Sequence, residues 1–129
     1  MKKIIEKLKQ KEIEISKNKG GFNLFALFLR EDSPNKWDLL VAAPWIEKNK
    51  NNALKYIASI IQKTLNQEEL LKISRIIIID LNNKALSAIQ RAVSVEHGTA
   101  EIANSSFFGL SIRHAYLITS KKHITNQST

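Results

Sequence analysis

Arg75-Ile76-Ile77-Ile78-Ile79-Asp80 is the stretch whose reading decides the fold. Four isoleucines in a row defeat the alternation of a half-wet strand, which would send two of them into water. Their β-branched side chains favour extended backbone over helix. A short apolar run bounded by Arg75 and Asp80 therefore reads as a strand with a covering layer on each face. Fully burying one isoleucine stabilises by roughly 1.5–3 kcal/mol. The run is thus the strongest local commitment in the chain, and it is expected at the centre of the sheet beside a hairpin over residues 22–45.

After the strand comes Leu81-Asn82-Asn83, then residues 84–93 with Leu86, Ile89 and Val93 at helical spacing. Asn82 or Asn83 is placed to cap that helix through its side-chain oxygen. Ligands in open α/β sheets favour the carboxyl ends of strands. Asp80, Asn82 and Asn83 would sit at such an end and are the candidate ligand-binding residues. Capping and turn closure are the commoner uses of the same residue types.

Upstream, residues 22–30 (FNLFALFLR) and 37–45 (WDLLVAAPW) read as two strands joined by a turn at Glu31–Lys36 rich in Asp, Ser, Pro and Asn. Pro44 lacks an N–H and marks the end of its strand or an edge position. Residues 46–52 read as a polar loop. Asn51 or Asn52 then caps a helix to about residue 65, with Leu54, Ile57, Ile60, Ile61 and Leu65 as its core stripe. Asn66 and Glu69 have capping-box spacing and open a short helix over about residues 67–73. The chain opens on a lysine-rich helix over residues 2–17, within a basic N-terminal segment 1–19.

Downstream, His97-Gly98 suits a two-residue hairpin turn inside residues 94–102. Residues 103–109 (ANSSFFG) read as a loop, 110–120 as a final strand and 121–129 as a flexible tail. The expected fold is α/β, a single domain over 1–129. It holds a mixed sheet of about five or six strands with flanking helices.

Composition narrows function. At 129 residues, 43% hydrophobic and 25% charged, the chain has ordinary globular composition and can bury one core. It has no cysteine, which excludes a disulfide framework, cysteine-based zinc sites and a thiol nucleophile. Met1-Lys2-Lys3 is followed by Glu6, Lys7 and Lys9 instead of an apolar run, and no apolar stretch is long enough to span a bilayer. No membrane association and a cytoplasmic location are expected.

The net charge of +8 invites a nucleic-acid partner. Lysine supplies 16 of the 20 basic residues, however, and isoleucine, lysine and asparagine have A/T-rich codons, so base composition accounts for much of the surplus. The charge is also uneven: residues 1–20 carry seven lysines against Glu6, Glu12 and Glu14, and Lys121-Lys122 add two more near the other end.

Catalytic spacing is sparse. There is no glycine-rich phosphate loop, His-Glu-x-x-His or Gly-x-Ser-x-Gly. His97, His114 and His123 lie on separate segments. His97 with Glu96 and Glu101 offers at most a weak metal pair near a turn, so no metal and no cofactor is expected. Asp38, Glu47, Lys48 and Asp80 are the residues available to a metal-dependent nuclease, which gathers carboxylates and a lysine around hard cations. The order helix, hairpin, helix, strand resembles the restriction-endonuclease-like architecture, which implies nucleic-acid processing. The acid-x-lysine that the resemblance requires is missing: Ala42-Ala43-Pro44-Trp45 holds its place.

Trp37, Trp45, Phe107 and Phe108 fall near strand ends or in loops, where large apolar groups anchor partners if they are exposed together. The sequence thus favours an intracellular bacterial-type interaction or accessory module without catalysis, whose partner is another protein or a second copy of the chain. A nucleic-acid-processing domain is the alternative.

Overall fold

The computed structural model describes residues 1–122. Helix α1 (Lys2–Lys19) leads into strands β1 (Leu24–Arg30) and β2 (Trp37–Ala42). Three helices follow, α2 (Pro44–Lys48), α3 (Lys50–Thr64) and α4 (Gln67–Leu70), then strand β3 (Ile73–Ile78) and helix α5 (Lys84–Ala92). Strands β4 (Ala100–Phe107) and β5 (Leu110–Ser120) close the fold. The five strands form one mixed sheet in the order β3-β2-β1-β5-β4. β2 and β3 run parallel and every other pair is antiparallel.

Two apolar layers sandwich the sheet. On one face, Ile4, Ile5, Leu8 and Ile15 of α1 and Ile57 and Ile61 of α3 pack on Phe25, Leu27, Leu39, Val41 and Ile118. On the other, Leu86 and Ile89 of α5 pack on Leu24, Ala26, Leu40, Ala42 and Leu117. α5 has nine residues and covers part of that face; the tip of the β4–β5 hairpin covers more, with Phe107 and Phe108 lying 6.1 and 6.3 Å from Phe28.

The isoleucine run is a strand, and its side chains divide between the two layers. Ile76 and Ile78 join the α1/α3 side, and Ile77 and Ile79 join the α5 side. Its lateral position departs from expectation. β3 is an edge strand, and Ile76, Ile77 and Ile78 are only half-buried, while Ile79 is buried. The centre belongs to β1, where Leu24 to Phe28 are buried without interruption between two hydrogen-bonded neighbours. Continuous hydrophobicity reports that both faces are covered. It does not report how many neighbours a strand has in the plane of the sheet.

Four local readings also change. Part of the expected loop over 46–52 is helix α2, with Pro44 in its first turn, where the missing N–H would be unsatisfied anyway. Asn49, instead of Asn51 or Asn52, caps α3 by accepting from the Asn52 N–H at 3.1 Å. The expected loop over 103–109 is mostly strand, and the hairpin turn is Phe108-Gly109, both at positive φ (55° and 71°), the two-residue turn that matches strand twist. His97-Gly98 closes no hairpin. Val95 bridges to Ser120 and the Gly98 N–H donates to the Ile118 carbonyl, so the segment runs beside β5 and becomes β4.

Other readings match. Asn66 and Glu69 form the reciprocal capping box, and Asn83 caps α5. α1 runs two residues beyond its expected end, and α4 stops at Leu70, earlier than expected. From residue 123 onward, the expected tail and His123 lie outside the described residues.

Candidate functional site

The residues proposed for nuclease chemistry do not gather in one place: Glu47 reaches the turn that carries Asp80, and Asp38 lies at the other end of β2. Asp38 is buried near the start of β2, where the Arg30 Nε lies 3.2 Å away and the Arg75 Nε and Nη2 donate to it at 3.3 and 3.4 Å. Arg75 is the register partner of Asp38 across the parallel pair, and Asp80 lies five residues further on. Five residues of strand span about 16 Å. Oxygen ligands sit about 2.0–2.6 Å from a hard cation, so Asp38 and Asp80 cannot share one.

Asp80 is exposed and pairs with Lys50 at 2.6 Å, a contact that raises the Lys50 ammonium above its ordinary value. Glu47 accepts the Leu81 N–H at 3.3 Å, and Lys48 lies exposed on α2. The turn after β3 uses its polar groups on itself: the Asn83 side chain accepts the Ala85 N–H at 2.8 Å, and the Asn83 N–H donates to the Asp80 carbonyl. Asn82 is exposed. No cluster of three metal-ligating side chains occurs among the described residues.

The aromatic candidates also separate. Trp37 is buried against Tyr116 at 5.4 Å. Trp45 is half-buried between Phe22 (5.6 Å) and Tyr56 (6.2 Å). Both belong to the α1/α3 layer, whereas Phe107 and Phe108 lie on the opposite side of the sheet. The four form no single patch.

Glu12 is the residue that sequence reading passed over. Its carboxylate is fully buried, accepts the Thr119 hydroxyl at 2.7 Å and lies 2.6 Å from His97 Nδ1. Ser16 donates at 3.4 Å. The cluster fixes α1 to β5 and to the bend before β4, where His97 has φ 53°. Glu101, considered as a partner for His97, instead lies 2.5 Å from His114. Spacing held the signal: Ile5, Leu8, Glu12 and Ile15 recur at helical intervals, so a carboxylate occupies the buried stripe.

The open feature of the sheet is the outer edge of β3. The Ile79 N–H donates inward to the Val41 carbonyl at 2.8 Å. Strand alternation then turns Ile77 and Arg75 toward β2, and the backbone N–H and C=O groups of Ile76 and Ile78 away from the sheet. Beside this edge runs a groove of about 510 Å³ between α3 and β3, lined by Leu54, Ile61, Leu70, Ile73 and Ile76 among others. Leu71, next to it, is 70% exposed. The opposite edge is guarded: β4 carries exposed Glu101 and a kink at Asn104, where φ is 52°.

No protein-family model, curated protein or solved structure matches this chain. The geometry of the molecule itself therefore carries the functional reading.

Proposed function

We propose that this chain is a non-catalytic interaction module whose first partner is a second copy of itself, joined edge to edge along β3. The observation that supports this is the unpaired isoleucine edge. Three half-buried isoleucines and outward backbone groups at Ile76 and Ile78 lie side by side on the flank that lacks a neighbour among the described residues. Natural sheets blunt such edges with charges, bulges, proline or cover; β3 has an irregularity at Ser74 and one charge, Arg75, which is turned to Asp38, but its Ile76–Ile78 half has no charge, proline or covering segment among the described residues.

An antiparallel pairing of two β3 strands about a twofold axis near Ile76 is self-complementary, because each strand presents the same donors and acceptors. Burying the remaining half of each isoleucine contributes about 1 kcal/mol per residue. Association costs roughly 4–15 kcal/mol. The reading therefore predicts a concentration-dependent dimer, not an obligate one. Three observations argue against catalysis: Asp38 lies apart from Glu47 and Asp80, Asp38 is held by two arginines, and Asp80 is paired with Lys50.

Sedimentation over a concentration series tests this. The wild-type chain is expected to move from monomer to dimer as concentration rises. Leu71→Lys/Ser74→Lys, which places two cations along the edge at exposed positions, is expected to remain monomeric with an unchanged circular dichroism spectrum. A wild-type chain that is monomeric at every concentration, or a dimer that the double variant leaves intact, refutes the reading.

A further inference from the structure

At the sheet end where β2 and β5 finish and β1 begins, the two basic ends of the sequence meet. Lys19, from the last turn of α1, and Lys121-Lys122, beyond β5, line one cavity of about 360 Å³ together with Lys48 of α2. Phe22 and Trp45 supply its apolar wall, and no acidic residue among the described residues lines it. A second hollow of about 200 Å³ continues from it, sharing Lys19 and Trp45 and adding Asn49, Asn52 and Tyr56. The trough thus alternates ammonium groups, aromatic rings and side-chain amides.

Its walls are built. The Lys121 N–H donates to the Asn23 carbonyl at 3.1 Å, and the Asn23 side-chain amide and Gln90 of α5 donate to the Lys121 carbonyl at 3.1 and 2.7 Å. The Lys19 ammonium lies 4.9 Å from the Tyr56 ring centre. Lys121 pairs with Glu96, whereas Lys48 and Lys122 have no carboxylate partner among the described residues. The indole Nε1 of Trp45 is buried with no hydrogen-bond partner, and the edge of the ring beside it faces the Gly20 backbone that lines the trough.

We infer that this trough binds a short stretch of single-stranded nucleic acid, with the lysines on the phosphates and the part-exposed Trp45 and Tyr56 rings against the bases. Strand binding without sequence reading combines a basic track with aromatic platforms, and both occur here. An acidic peptide would use the lysines and leave the rings and amides idle. The inference is independent of the β3 edge, which lies along a different border of the sheet.

The test is fluorescence anisotropy with labelled oligo(dT) and oligo(rU), using oligoglutamate and inorganic pyrophosphate as competitors. Binding is expected to weaken roughly 20-fold between 50 and 200 mM salt if about three phosphates are contacted. Lys19→Glu/Lys48→Glu/Lys122→Glu is expected to weaken it tenfold or more. Lys2→Glu/Lys55→Glu/Lys63→Glu changes net charge equally at exposed positions outside the trough and is expected to weaken it less than threefold. Equal losses in the two triple variants, no binding at 50 mM salt, or oligoglutamate competing as well as the oligonucleotides would each overturn the inference.

Discussion

At the residue scale, the buried carboxylate of Glu12 is the least expendable polar group in the chain. Removing it strands the buried Thr119 hydroxyl and takes away the partner of the part-exposed His97 ring. Glu12→Ala is expected to cost about 1–3 kcal/mol, read as a fall in the urea midpoint, and Glu12→Gln is expected to cost less because it keeps an acceptor. Equal midpoints for Glu12→Ala and the wild type would show that Thr119 and His97 do not depend on it.

Glu69 gives a pH prediction at the same scale. The Lys7 ammonium at 2.7 Å, then the Asn66 N–H, hold its carboxyl below the ordinary 4.5. A carboxyl depressed in the fold contributes stability that is present above about pH 4.5 and lost as acid titrates it through its lower folded value. Lys7→Met should therefore narrow the stability difference between pH 6 and pH 3. An identical pH profile would assign Glu69 to capping alone.

At the scale of elements, the sequence was legible wherever one local rule governed. The capping box at Asn66 and Glu69, the cap at Asn83 and the strands 24–30 and 37–42 follow from spacing and side-chain chemistry. Asn66→Ala is expected to lower stability by about 1 kcal/mol, measured by thermal unfolding, because the Glu69 N–H loses its side-chain acceptor while the Asn66 N–H keeps the Glu69 carboxylate. Legibility failed where pairing across the sheet overrode local signals. Residues 104–106 are polar, yet they lie within a strand because β5 supplies a ladder for the segment. Phe108 adopts positive φ without being glycine because its ring packs on Phe28. The polar stretch after Ala43 is helical because Pro44 presets a first turn and Ile46 is buried beneath it.

At the scale of the molecule, the sequence conveyed layers but not lateral order. The isoleucine run reports two covered faces, and the structure provides them. Whether that strand sits inside or outside β2 depends on where β5 docks, and no residue near Ile76 encodes that. The candidate sites suffered from the same gap. Asp38 and Asp80 both lie near strand termini, but the parallel pairing of β2 and β3 puts them at opposite ends. The basic ends of the chain were visible in the sequence, and only the fold shows Lys19 and Lys121 on one trough.

Amide hydrogen exchange along β3 tests the central claim most directly. Ile77 and Ile79, whose N–H groups face β2, are expected to be protected at every protein concentration. Ile76 and Ile78 are expected to exchange fast in dilute solution and to gain protection as a second copy pairs with them. Equal protection of all four amides in dilute solution, or fast exchange at Ile76 and Ile78 at all concentrations, contradicts the account.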